Sequence, residues 1–168
     1  MDRPARRAVM PGEGPAVSLG GIGVVFKIDG SETGAAFSIV EHPVEPGALV
    51  PPHVHTREDE YSFVLEGEVG ARIGDRDLSA GPGAYILKPR GIPHTFWNAG
   101  STPARLLEII SPAGFERYFE EMAALIPAEG MPDFEKVGEL AARYDLAFVH
   151  PEWVPDLTAK YGVSLLGR

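Results

Sequence analysis

Two stretches of this 168-residue chain decide its fold and its chemistry: residues 47–67, GALVPPHVHTREDEYSFVLEG, and residues 83–98, GAYILKPRGIPHTFWN. The first carries His53 and His55, and the second carries His94 just after a turn rich in proline and glycine. Alternate residues of a strand point to the same face, so a strand through the first pair places both imidazoles together. These histidines are therefore the candidates for a shared site.

A carboxylate follows the first pair. Glu60 lies five residues after His55, which is the wrong parity for one continuous strand, so we expect the chain to bend within residues 56–59. After the bend, Glu60, Ser62 and Val64 share one face of the next strand. Ser62 and Val64 are therefore predicted pocket residues.

In the second stretch, His94 and Phe96 share a face, so Phe96 is the third predicted pocket residue. Three imidazoles and one carboxylate suit a divalent transition metal, and this ligand set does not choose among Fe, Mn, Ni, Cu, Zn and Co. A six-coordinate ion held by four protein ligands keeps two positions for a substrate oxygen, water or dioxygen.

Short apolar runs separated by glycine and proline predict a mainly β fold, and the chain has 20 glycines and 16 prolines. Such spacing is typical of a sandwich or a barrel. The predicted strands are Ile22–Ile28, Ala35–Val44, Glu60–Leu65, Glu68–Ile73, Tyr85–Lys88, Thr95–Asn98 and Arg105–Ile110.

The pattern changes to helical periodicity after Pro112. Phe115, Tyr118, Phe119, Met122, Leu125 and Ile126 form one helical face, and Ser111-Pro112 supplies the predicted N-cap and first position. A second helix is predicted from Asp133, and a third after Pro155 that ends at Gly162. This tail is too small for a core of its own, so we expect it to pack on the β domain or on a partner subunit.

Composition narrows the class of protein. The formal net charge is −9, which disfavours nucleic acid or an anionic membrane as partner, and no apolar run is long enough to span a bilayer. There is no cysteine, so disulfides and thiolate chemistry are excluded. The first residues lack the apolar segment of a signal peptide, so the expected location is cytoplasmic.

The two stretches together resemble a known family. Gly-x5-His-x-His-x4-Glu-x6-Gly at 47–67 resembles the first motif of the cupin superfamily, and Gly-x5-Pro-x-Gly-x2-His-x3-Asn at 83–98 resembles the second. The resemblance implies an antiparallel double-stranded β-helix, the jelly-roll or cupin barrel, with one divalent transition metal ion per chain. By position, the family's metal ligands match His53, His55, Glu60 and His94.

The implied organisation has three parts: a loose segment over residues 1–18, a cupin β-barrel over 19–111, and a helical C-terminal extension over 112–168. The wider chain is similar to microbial quercetin 2,3-dioxygenase-like cupins, through residues 111–116 and the tail ending at 161–163. That similarity implies that Glu60 also acts as the base or hydrogen-bond partner for a substrate hydroxyl. It also implies a homodimer, which would cover exposed sheet edges.

Three functions fit these features. The first is a metal-dependent dioxygenase acting on a flavonol-like enol or phenol, with dioxygen as a second substrate. The second is a non-oxidative metal-dependent isomerase, cyclase, lyase or decarboxylase, and the third is a cupin that binds a small molecule without turnover.

Other polar side chains receive simpler interpretations. Glu58 and Asp59 compete with Glu60 as the carboxylate ligand, but only Glu60 has the motif spacing, so the other two are predicted to be solvated turn charges. The remaining predictions are that Lys88 and Arg90 are solvated and that His42 and His150 are structural or surface residues. The inward phase of the strand near residues 105–110 stays open, since Leu106, Glu108 and Ile110 alternate with Arg105, Leu107 and Ile109.

Overall fold

The computed structural model describes residues 8–127 and 130–167, which form thirteen strands and three α-helices. The strands are β1 (Ala16–Ser18), β2 (Gly23–Ile28), β3 (Ser38–Val44), β4 (Ala48–Leu49), β5 (His53–His55), β6 (Asp59–Glu66), β7 (Val69–Ile73), β8 (Arg76–Ala80), β9 (Tyr85–Lys88), β10 (His94–Trp97), β11 (Ala104–Ser111), β12 (Leu146–Phe148) and β13 (Ser164–Leu165). The helices are α1 (Glu116–Leu125), α2 (Phe134–Arg143) and α3 (Val154–Tyr161).

The first of two sheets has six strands in the order β1-β2-β3-β11-β6-β9, all paired antiparallel. Its inward residues alternate along each strand. In β11, Leu106, Glu108 and Ile110 are almost fully buried. These three residues are therefore the ones that face inward, a point that the sequence left open. This register places Glu108 opposite Ser62 on β6.

The second sheet has seven strands, with β10 between β7 on one side and β4 and β5 on the other. Its inward side chains Val69, Ala71 and Phe96 pack against Val64 and Leu106 of the first sheet. The predicted fold class is confirmed as mainly β with a double-stranded β-helix. The strands form two facing sheets, and their hydrogen bonding does not close into one barrel.

All seven predicted strands overlap observed ones, and Tyr85–Lys88 matches β9 end to end. Six strands lie outside this list: β1, β4, β5, β8, β12 and β13; of these, β5 is the strand expected to place His53 and His55 on one face. Among them, β1 falls within the segment predicted to be loose, where it pairs with β2. Residues 1–7 of that segment lie outside the described residues.

The three helices of the C-terminal extension begin after residue 115. Asp133 caps α2 through its side chain, and Gly162 ends α3 in the left-handed conformation, as predicted. The predicted start of α1 at Ser111-Pro112 is wrong: Ser111 is the last residue of β11, and Phe115 is the N-cap. The seven pairs that join β11 to β3 keep the chain extended up to this point.

The extension packs on its own chain. Phe115, Tyr118, Phe119 and Met122 join a core with Leu19, Val24, Val40 and Ile110. Strand β12 adds to the second sheet beside β5, and β13 runs parallel to β4. None of the helices within 8–127 and 130–167 has the length and hydropathy needed to cross a bilayer.

The outer face of the first sheet is apolar at its β9 edge. Tyr61, Tyr85 and Leu87 are exposed there by 42%, 83% and 56%, and the rings of Tyr85 and Phe63 lie 4.7 Å apart. The homodimer expected from the sequence stays a prediction.

His42 lies inside the β domain. It is only 4% exposed, its Nδ1–H donates to Gly23 O at 2.9 Å, and its ring contacts Phe119 edge-on at 5.3 Å. Burial lowers the pKa of His42 from 6.5 to about 4, and the charge of Lys88 adds to this lowering. The folded protein therefore holds this imidazole neutral.

We expect His42 to make folding stability depend on pH. A lowered pKa in the folded state gives stability that is fully present above the unfolded pKa of 6.5 and is lost as pH falls toward 4. The loss should be about 3 kcal/mol in the free energy of unfolding. Urea unfolding of chelator-treated protein between pH 4 and pH 7 measures it. In His42→Gln, the free energy of unfolding should lose this part of its dependence on pH, whereas the exposed control His150→Gln should keep it. An equal pH dependence in both variants would contradict the assignment.

Candidate metal centre

Four side chains predicted from the sequence converge inside the β domain. His53, His55, Glu60 and His94 each offer one ligand atom, and these four atoms all lie within 4.8 Å of one another. The exposed fraction of each residue is 8% or less. The ring centroid of His53 lies 4.4 Å from that of His94 and 5.1 Å from that of His55.

Strand register brings the four together. His53 on β5 is directly paired with His94 on β10, so the two imidazoles stand side by side on the second sheet. His55, two residues along β5, points to the same side. Glu60 comes from β6 of the facing first sheet, after the chain turns over residues 56–58.

The loop before His94 is tied to the other ligand-bearing segments. Gly91 N donates to His55 O at 2.7 Å, and Arg90 N donates to Asp59 Oδ1 at 2.8 Å. Gly91 has a φ of +76°, a left-handed conformation that glycine adopts without steric cost. These bonds fix where β10 begins and so where His94 stands.

The backbone hydrogen bonds of His53 and His94 direct their Nε2 atoms inward, toward Glu60. His53 Nδ1 and His94 Nδ1 lie 2.8 and 3.0 Å from the carbonyls of Pro51 and Ile92, which only accept, so each Nδ1 must carry the proton. Each ring then turns its Nε2 inward. His94 Nε2 lies within hydrogen-bond distance of Glu60 Oε2, at 3.1 Å, and His55 Nε2 lies 3.4 Å from Glu60 Oε1 with no hydrogen-bond partner among the described residues.

Lone pairs of nitrogen and of a carboxylate repel unless a cation lies between them. A divalent metal ion satisfies all four at once, and the donor set of three imidazoles and one carboxylate is one that transition metals bind. The residues present therefore fit a metal ion. This donor set does not identify which metal it is.

Burial and neighbouring charges set the protonation states. Burial holds the pKa of His53 well below its usual value, and His94 and His55 lower it further, so His53 is neutral and able to bind a metal. Burial alone would raise the pKa of Glu60, but Lys88, His55 and His94 overcome it and hold that pKa well below the usual range. Glu60 is therefore ionised at neutral pH.

Lys88 and Glu108 belong to the same site. Lys88 is 2% exposed, and its Nζ donates to Glu60 Oε2 at 3.1 Å and to Glu108 Oε2 at 2.7 Å. The prediction that Lys88 is solvated is wrong, because it is paired with Glu60 across β6 and β9 and shares the inward face with Ile86. Residues 85–87 place apolar side chains on both faces of the strand, so the sequence carries no signal of this phase.

Glu58 is also buried, contrary to the prediction of a solvated turn charge. It is 2% exposed, and its Oε2 lies 3.4 Å from His55 Nδ1. A carboxylate behind a ligand histidine orients the ring and raises its basicity. Asp59 holds the loop before β10, through Arg90 Nη2 to Asp59 Oδ2 at 2.8 Å.

A cavity opens onto three of the four ligand candidates, His53, His55 and Glu60. Of the three predicted pocket residues, Phe96 lines it, while Ser62 and Val64 are buried nearby, with Ser62 bonded to Glu108. Its wall is mostly apolar, and the part contributed by the C-terminal extension was not predicted. This part comprises Phe115, Tyr118, Phe119, Met122, Leu146, Phe148 and Leu166.

All four ligand candidates lie within residues 41–110, and this segment matches the family model described as the cupin domain. The chain contains a cupin domain. The cupin fold is also seen by comparison with solved structures. KdgF from Halomonas sp. superposes with a TM-score of 0.59 at 16% identity, over 67% of this chain and 99% of that one.

Two curated relatives are similar in sequence over part of their length. Tetracenomycin polyketide synthase protein TcmJ from Streptomyces glaucescens is 30% identical over 83 residues, which cover 49% of this chain and 56% of TcmJ. Germin-like protein 5-1 from Oryza sativa subsp. japonica is 36% identical over 91 residues, covering 49% of this chain and 39% of that protein. The match thus spans about half the length of these relatives or less.

We expect His53→Ala and His94→Ala to abolish stoichiometric metal binding, because each removes an inward-facing Nε2 from a four-ligand set. Elemental analysis after loading and dialysis should give about one ion per chain for the wild type and far less for either variant. His150→Ala, at an exposed histidine, is the control. One ion per chain in both ligand variants would refute the assignment.

Glu58→Ala should weaken metal binding roughly 10- to 100-fold, since His55 loses the carboxylate that orients its ring. Competition with a chromogenic chelator measures the affinity. The matched control is Glu66→Ala, at an exposed glutamate that pairs with Arg105 on the surface. Equal affinities for Glu58→Ala and the wild type would show that Glu58 does not support His55.

Proposed function

We propose that this cupin is a metal-dependent enzyme that acts on an aromatic or flavonol-like small molecule through an enol or phenol hydroxyl, and that the reaction is a dioxygenation. The observation that carries this proposal is the position of the cluster of four ligand candidates, three of which line a largely apolar cavity. Aromatic side chains around a few polar groups are typical of sites for planar organic ligands.

A bound transition metal would supply Lewis acidity and, if redox-active, a route for dioxygen to react. The chain's own residues would do the rest. Ionised Glu60 would accept a hydrogen bond or the proton from the substrate hydroxyl, while Lys88 keeps this carboxylate oriented and charged. Phe96, Phe115 and Phe119 would hold the ring and exclude water.

A non-oxidative reaction is the second candidate. The similarity to TcmJ, a polyketide synthase protein, favours it, because ring closure of a polyketide proceeds through enols and proton transfers. The same ligands and Glu60 would then act by Lewis-acid and acid–base chemistry alone. Binding without turnover is a weaker fit, because four protein ligands leave positions on the ion open.

Oxygen uptake separates the two candidates. With quercetin and related enols, and with protein loaded in turn with iron, manganese, nickel or copper, we expect oxygen to be consumed one molecule per substrate molecule. No added reductant is needed, since both oxygen atoms enter the product and the substrate supplies the electrons. Isotope-labelled oxygen should appear as two atoms in the products.

Glu60→Gln should reduce the rate at least about a hundredfold, which is the usual contribution of a general base. The control for this assay is Glu66→Gln, at an exposed glutamate that is not among the residues lining the cavity. Product formation without oxygen uptake would favour the cyclase or isomerase, and neither uptake nor product with any loaded metal would overturn the proposal.

A further inference from the structure

Besides three of the ligand candidates, the cavity is lined by a buried ion pair, Lys88 and Glu108, which are 2% and 1% exposed. Charged side chains this deeply buried are rare unless they are paired. Lys88 has two carboxylate partners, since its Nζ contacts both Glu60 Oε2 and Glu108 Oε2. Glu108 is therefore one side chain away from the proposed metal centre.

The two oxygens of Glu108 have different surroundings. Oε2 accepts from Ser62 Oγ at 2.9 Å and from Lys88 Nζ at 2.7 Å. Oε1 is buried and accepts no hydrogen bond from the described residues. A buried acceptor without a partner lowers stability, and such groups call for an explanation.

Glu108 is held firmly in this position. Its backbone on β11 is paired with Ser62 on one side and Val40 on the other, and both side-chain bonds fix Oε2. Glu108 lines an otherwise mostly apolar cavity, so it is one of the few polar side chains there. Polar atoms of this kind set ligand orientation and specificity.

We propose that Glu108 Oε1 accepts a hydrogen bond from a second hydroxyl of the substrate, next to the oxygen that binds at the metal centre. This inference rests on the proposed function, and it narrows the substrate class to aromatic or enolic molecules with at least two hydroxyl groups. Lys88 and Ser62 are positioning residues in this account. A site built around such a hydrogen bond rejects analogues that lack the hydroxyl.

The test compares ligands that differ in this one donor. Zinc-loaded protein is titrated calorimetrically at pH 8 with 1,3- and 1,8-dihydroxynaphthalene and with the monomethyl ether of each. Each ether keeps the oxygen atom at the methylated position but lacks the hydroxyl proton that would form the hydrogen bond to Glu108. We expect the wild type to bind at least one diol about tenfold or more tightly than its ether, as a charge-assisted hydrogen bond allows.

Glu108→Gln should remove most of that preference, because its amide oxygen can still accept from Lys88 and Ser62 while a donor replaces Oε1. Glu66→Gln, the matched surface control, should keep the wild-type preference. If Glu108→Gln does not fold, a crystal structure of the wild type with the preferred diol should show the second hydroxyl within hydrogen-bond distance of Oε1. A hydroxyl placed elsewhere would overturn the inference.

The outcomes also separate this inference from the proposed function. An equal diol preference in the wild type and Glu108→Gln, or no preference in the wild type, overturns the role of Glu108 while leaving the metal-dependent enzyme standing. If none of the naphthols binds to the zinc-loaded protein, the role of Glu108 is overturned as well. Failure of the wild type to bind zinc or any of the other candidate metals would overturn the proposed function itself.

Discussion

The rest of the site depends on one electrostatic constraint, the convergence of three imidazole lone pairs and a carboxylate in a place that water barely reaches. His53 and His94 donate their Nδ1 protons to backbone carbonyls, so their Nε2 atoms face Glu60. When these inner nitrogens carry no proton, the arrangement is repulsive until a cation occupies its centre. Lys88 supplies part of the positive charge that this arrangement needs, and a divalent ion would supply the rest.

The facing sheets create that convergence through register. Pairing of His53 with His94 sets two ligands on one sheet, and pairing of Glu60 with Lys88 sets an acid and its counter-ion on the other. The same first sheet pairs Glu108 with Ser62, so a line of polar groups continues from the metal centre into an apolar cavity. The helical extension then closes the cavity with aromatic side chains.

Sequence reasoning reached the fold and the four converging residues because both depend on local spacing that two motifs display in full. The inward position of Lys88 and Glu108 could not be predicted. When a short strand has apolar residues on both faces, only its pairing with other strands decides which face points inward. The burial of Glu58 was not predicted, because a side chain of a polar turn can still pack against a neighbouring ring, here that of His55. The aromatic wall from Phe115 to Met122 shows the periodicity of a helix, but the surface that the helix meets is a long-range property.

The most direct test of the central claim is anomalous diffraction from crystals of the metal-loaded protein, recorded at the absorption edge of the bound metal. The account predicts one peak per chain among His53, His55, Glu60 and His94, with the three imidazoles bound through Nε2. A strong peak elsewhere, or none among these four side chains in protein exposed to each candidate metal, would contradict it.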